Sequence, residues 1–170
     1  MKKIFEIVRD DPDLKIEIAS SRPIGWRIGS EIIMWYQNNN YSHVLVILND
    51  MVFQSTHLRV NVIPLELFLL DHVIVERLEI QKAKCDFEFL FGSLGKKYGF
   101  RAIWDIGVKF VLLTKLKLIR KFKYKDDGSQ NLICSEYVGK FLDLTWVNDL
   151  TDPKEVIRYL MSIRKGIDLV

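Results

Sequence analysis

Two cysteines, three histidines, four prolines and nine glycines are all that 170 residues hold of the types that staple, ligate or punctuate a small fold. Cys85 and Cys134 sit in dissimilar surroundings, so no disulfide framework is expected and both thiols read as free. The histidines and cysteines show neither C-x-x-C nor H-x-x-x-H spacing, so no metal site is expected. The stretch "GSLGKKYG" lacks the order of a phosphate-cradling loop and follows no strand, so no cofactor is expected either. Scarce proline and glycine, with no repeat or low-complexity tract, leave little room for a linker, and residues 1–170 read as a single domain. No apolar run reaches the roughly 18–20 residues that would cross a bilayer. The opening "MKKIFEIVRDDPDLK" breaks its apolar residues with Glu6 and Arg9, unlike a signal peptide, and the expected location is the cytoplasm. A net charge of +3 is too small to argue for nucleic acid.

What remains is globular: 49% of residues are apolar and 28% charged, enough to bury a core and coat it. "LKIEIAS" (14–20) alternates as a strand and runs into the turn-rich "SSRPIG". "GWRIGSEIIMWYQNNN" has apolar residues at helical spacing and ends on three asparagines. "SHVLVIL" and "MVFQST" flank Asn49–Asp50, a two-residue hairpin loop. "VNVIPLELFLLD" predicts a short strand, a break at Pro64 and a helical turn, and "HVIVERLEI" (72–80) another strand. Residues 86–124 read as helical with glycine joints, and 131–144 as a helix after a short extended piece. In "DLTDPKEVIRYLMSIRK", Thr151 or Asp152 can cap a last helix, with Pro153 in its first turn and Glu155 at capping-box spacing. The expected class is α+β: a central antiparallel sheet flanked by helices, without βαβ alternation.

Pairing Leu48 with Met51 across the hairpin loop fixes the register by counting outward. Leu45 then opposes Gln54, and His43 opposes Thr56, so His43 and Gln54 share one face and are diagonal neighbours. His57 falls on the other face. Far along the chain, Cys134 stands four residues before Val138, which stands three before Phe141, so it sits near a first helical turn. Free amides and the helix dipole there favour a thiolate, and such sites can lower a cysteine pKa from about 8.5 to roughly 3.5–7.5. A small core cysteine and a hydrogen-bonded edge histidine would show the same spacing, so spacing alone leaves the pairing open.

The ordered series "YSHVLVIL", "MVFQST", "V-x-V-I-P-L-E-L-F", "KKYGF", "ICSEYV" and "LTDPKEVIRYL" resembles the circularly permuted NlpC-type papain-like enzymes. These are the YiiX/YaeF-like group, related to the lecithin retinol acyltransferase-like proteins. The resemblance spans roughly residues 14–160. It implies a permuted papain-like fold in which the histidine strand precedes the cysteine helix. By position it implies Cys134 as nucleophile, His43 as general base and then acid, and Gln54 as the polar residue that orients the imidazole. Many members carry Glu at that last position; a neutral amide can hold the tautomer but supports an imidazolium less. Tyr41 and Ser42 would border the substrate cleft, or pack and bond to the backbone. The Cys134 amide is the expected first donor to an oxyanion. Glu136, Cys85 and His72 read as structural, His72 as a solvated strand start.

The implied activity is that of a cysteine hydrolase (amidase or peptidase) or acyltransferase, acting on a peptide, a peptidoglycan stem peptide or a lipid acyl chain. The alternative is a non-catalytic lipid- or membrane-binding module on the same scaffold. It rests on "FRAIWDIGVKFVLLTKLKLIRKFKYK" (100–125), whose lysines and apolar residues suit an anionic membrane surface as well as a solvated basic helix. No RNA- or DNA-binding pattern accompanies it, so nucleic acid is not the expected partner. The Lys- and Ile-rich composition with "NNN" fits an AT-rich genome, such as that of a phage or virus.

Overall fold

The computed structural model describes residues 4–36, 38–97, 132–147 and 151–164. The basic stretch 100–125 lies outside them, as does most of the helical reading of 86–124. The chain is α+β. Five antiparallel strands form one sheet in the order β4-β3-β2-β1-β5: β1 Ile16–Pro23, β2 His43–Leu48, β3 Met51–Ser55, β4 Val60–Pro64 and β5 His72–Glu79. The described helices are α1 Ile4–Asp10, α2 Ile28–Tyr36, α3 Leu65–Phe68, α4 Phe87–Gly92, α5 Cys134–Phe141 and α6 Pro153–Arg164.

The hairpin sets the register. Leu48 pairs with Met51, Ile47 with Val52 and Val46 with Phe53, as counted from the loop. Asn49 turns the chain at φ 51°, which asparagine tolerates better than most residues. Its side-chain Oδ1 also accepts from the Lys15 amide at 2.9 Å, tying the loop to the start of β1.

Alternation then divides the sheet into two faces. Ile16, Ile18, Val44, Val46, Leu48 and Phe53 turn to the larger core, where they meet Tyr137, Val138 and Phe141 of α5, Phe87 and Leu90 of α4, and Val156, Ile157 and Leu160 of α6. Ala19, Leu45, Ile47 and Val52 face the other way and close over Phe68 of α3.

Three local expectations change. β1 does not stop at Ser20: Ser21, Arg22 and Pro23 pair with Ile74, Val73 and His72 of β5 across a register shift at Ser20/Ser21. Their turn-rich composition is overridden by the neighbouring strand, and Pro23 is tolerated as the final residue. The second helix is shorter than 25–40 and leaves Trp26 exposed before it. α1 was not foreseen; Phe5 and Val8 lay one side of it against the larger core. The last helix begins as expected, with Asp152 Oδ1 accepting from the Glu155 amide at 2.8 Å and Glu155 Oε2 from the Asp152 amide at 3.2 Å.

In α5 every residue but Lys140 is buried, and Gly139 permits the close approach of Val147. A Cβ at 139 would lie 2.5 Å from Val147 Cγ1 and 2.6 Å from its Cβ. Gly139→Ala is therefore expected to lower stability by about 1–3 kcal/mol through overpacking, despite alanine's better helix propensity. The midpoint of urea unfolding measures this, and an unchanged midpoint would mean that the Val147 segment moves freely aside.

Candidate active site

His43 opens β2, and its Nε2 lies 3.2 Å from Gln54 Oε1 on β3. The register that puts Leu45 on the smaller-core face carries both side chains there, as counted from the sequence. Gln54 is buried, and its carbonyl oxygen can only accept, so the ring hydrogen sits on Nε2. Nδ1, the ring nitrogen nearer the main chain, is left with its lone pair. His57 lies exposed beyond the end of β3, away from this arrangement.

Cys134 is the first residue of α5. The segment before it is fixed by the Ser55 hydroxyl, which donates to the Leu132 carbonyl at 2.5 Å, and the helix start by the Ser135 hydroxyl, which donates to the Thr151 carbonyl at 2.5 Å. Ile133 occupies the cap position and supplies no side-chain acceptor, so no cap engages the first helical amides. The amides of Val44, Ser135 and Cys134 all favour negative charge on the thiol. Val44 directly follows His43. The sulfur therefore lies at the end of β2, beside the peptide unit that leaves the histidine.

The ring and the sulfur approach that peptide from different sides. Val44 packs with Cys134 in the larger core, whereas His43 follows Leu45 to the opposite face. No hydrogen bond joins Sγ to the imidazole among the described residues. Sulfur and ring thus flank the peptide between His43 and Val44 from opposite faces of the sheet.

The electrostatics correct one expectation. The thiol is not lowered: burial, with Cys134 only 6% exposed, pushes it above its ordinary value and outweighs the three amides. His43 is held down to about 4, chiefly by burial, then by the charge of His72, against a smaller opposing effect of the Gln54 hydrogen bond. Both partners thus rest neutral near pH 7, and no thiolate–imidazolium pair is preformed. The unfolded chain binds more protons than the folded one between about pH 4 and the ordinary histidine value of 6.5. Stability should accordingly rise with pH across that window and be lost as the pH falls toward 4. Urea midpoints at pH 4.5 and 7 should differ less in His43→Gln than in the parent chain; equal differences would contradict the half-buried, neutral imidazole.

Tyr41 and Ser42 are both buried: Tyr41 packs in the larger core, and the Ser42 amide donates to the Ser21 carbonyl at 3.1 Å. Glu136 pairs with Lys140 one turn on, at 2.7 Å, as a structural residue. Cys85 is pushed up to about 12 by burial alone and contacts the Gln81 carbonyl. His72 is not a solvated strand start; its ring stacks on Phe68 with centroids 4.4 Å apart, and Nδ1 bonds to Asp71. Its place in the same sheet as His43, across β1, was invisible in the sequence, because it depends on β5 returning to pair with β1.

Among the described residues no group of three or more His, Cys, Asp or Glu side chains could hold a metal ion, and no helix is long and apolar enough to cross a membrane. The surface proposed for a lipid-binding module, 100–125, falls outside those residues. No protein-family model, curated protein or solved structure matches this chain.

Proposed function

We propose that the chain is a cysteine hydrolase of amide or ester bonds, or an acyltransferase, built as a permuted papain-like enzyme with Cys134, His43 and Gln54 as its catalytic set. The observation that supports this reading is the His43–Gln54 hydrogen bond, which leaves Nδ1 with its lone pair on the residue next to Val44, whose amide lies at the Cys134 sulfur. The fold is consistent with it, since the histidine strand comes before the cysteine helix.

The chemistry follows from the resting protonation. A neutral thiol is a weak nucleophile, so the proton passes to His43 Nδ1 as sulfur attacks the acyl carbon. The imidazolium formed is held by Gln54 through Nε2–H. Negative charge moves from sulfur to the carbonyl oxygen, where uncapped amides of the first α5 turn, beginning with Cys134, can donate to it. His43 then protonates the leaving amine or alkoxide, giving a thioester. Water, or an acceptor hydroxyl or amine, gives up a proton to the same nitrogen and attacks the thioester, releasing the acyl product and restoring the thiol.

Because His43 must be unprotonated to begin, kcat/KM should be level from pH 7 downward and fall only as the pH nears about 4. An ordinary imidazole would bring the fall at about 6.5. The test is the pH profile of para-nitrophenyl acetate hydrolysis by the full chain. An acid limb near 6.5 would contradict the half-buried base, and no Cys134-dependent hydrolysis at any pH would remove the proposal.

A further inference from the structure

The α2 sequence, IGSEIIMWY, holds a single charge, Glu31, yet no described side chain from 24–36 belongs to either core. Among the described elements none packs extensively against this helix. Trp35 is 64% exposed and shares a face with exposed Ile28, two turns back; Trp26, just before the helix, is 75% exposed. The Ile24 amide donates to the Asp71 carbonyl at 2.7 Å, and Arg27 Nη2 to Asp71 Oδ2 at 3.1 Å. Those bonds set exposed Ile24 beside exposed Leu69 and Leu70, the residues just before Asp71. The far end of α2 is fastened as well: the Asn38 amide donates to the Trp35 carbonyl at 3.1 Å and the Asn39 amide to the Met34 carbonyl at 2.9 Å. Apolar side chains are thereby held outward on a helix fixed at both ends, between β1 and β2.

We propose that α2, with the segment before it, is the interface through which two copies of this chain associate, Trp26 and Trp35 at its centre. The area is of the right size. At these exposures the two tryptophans offer roughly 300 Å², and Ile24, Ile28, Leu69 and Leu70 on the order of 100 Å² each. The patch thus approaches the ~800 Å² per partner of a stable interface and exceeds the few hundred Å² of an ordinary monomer surface. Its composition, poor in charge and rich in tryptophan, is that of an interface core. A helix already fixed in place loses little freedom on docking.

Charge permits this surface to meet itself. Arg27 and Asp71 neutralise each other within one chain. Glu31 lies in the first turn of α2, and Lys154 Nζ donates to the Asn38 carbonyl at 3.0 Å, just past its end. A two-fold axis that lays α2 antiparallel on its copy brings the Glu31 of each chain toward the Lys154 of the other. Lipid suits the patch less well. A helix that lies on an anionic membrane carries Lys and Arg along its polar face, and α2 carries neither. The interface is independent of the hydrolase reading, although it stands at the end of the sheet where Ser21 pairs with His43.

The experiment is sedimentation equilibrium of the full chain from about 1 to 100 μM. The expected species has twice the 20.0 kDa mass of the chain. Trp26→Ser and Trp35→Ser each remove one exposed ring and should each raise the dissociation constant by about 30-fold or more, as central tryptophans of interfaces do. Ile7→Ser, at an exposed position of α1 outside the patch, should change it less than about threefold. Far-UV circular dichroism identifies the variants that keep the parental fold. A chain that stays at 20.0 kDa throughout, a dimer indifferent to both tryptophan substitutions, or one weakened equally by Ile7→Ser overturns the proposal. A monomer that co-sediments with phosphatidylcholine–phosphatidylglycerol vesicles through the same tryptophans also overturns it, and makes the patch a lipid contact instead.

Discussion

Cys134→Ala is expected to reduce para-nitrophenyl acetate hydrolysis by on the order of 10⁴-fold or more, leaving at most the residual rate that oxyanion donors alone supply. The reason is that no other described thiol has the same surroundings. Cys85 touches a backbone carbonyl, an acceptor that cannot help a thiolate form, whereas the amides of Val44, Ser135 and Cys134 all favour charge on the Cys134 sulfur. Cys85→Ala should therefore change the rate less than twofold. Substituting a small, buried residue by alanine removes only one heavy atom from the core, so Cys134→Ala should keep a cooperative unfolding transition within about 1–2 kcal/mol of the parent. A folded Cys134→Ala protein that hydrolyses the ester at the parental rate would exclude the cysteine as nucleophile.

His43→Ala should cost about 10²–10⁴-fold in kcat, the usual contribution of a positioned general base. The loss should be large even at pH 7 because the resting thiol is protonated: without a base, attack depends on the small fraction of thiolate that forms unaided. In a preformed ion pair the histidine would also set the thiol's ionisation; here burial sets it. Raising the pH should therefore restore part of the His43→Ala rate, as hydroxide takes over the deprotonation. Gln54→Ala frees the ring and removes the acceptor for Nε2–H, and should cost less than His43→Ala. Gln54→Glu introduces a carboxylate beside the imidazole and should move the acid limb of kcat/KM upward from about 4. The pH profiles of these three variants measure the whole series. A His43→Ala rate that does not respond to pH would contradict the role given to the imidazole.

How much of this the sequence announces depends on the range of the interactions. The hairpin was legible because its determinants lie side by side: Asn49 suits the positive φ, and counting from Leu48–Met51 puts His43 and Gln54 on one face. The start of α6 was legible for the same reason, its reciprocal bonds linking Asp152 and Glu155. α1 was missed because Phe5 and Val8 make a short apolar stripe that only the larger core gives meaning. The length of β1 was underestimated because Ser21, Arg22 and Pro23 read as a turn until β5 pairs with them.

The site divides in the same way. That a cysteine opens a helix is a local fact, and Cys134 does. Whether its thiol is raised or lowered is decided by burial among distant residues, which reversed the expectation. Asp71, which bonds to the neighbouring His72, also takes Arg27 from more than forty positions away, a pairing that left no local signal.

The most direct measurement is the intact mass of the full chain within the first turnovers on para-nitrophenyl acetate, followed by peptide mapping. The proposed mechanism predicts a single added acetyl group on the peptide bearing Cys134, formed more slowly in His43→Ala and absent in Cys134→Ala. Acetylation confined to Cys85 or to lysines, at a rate indifferent to His43, would contradict it.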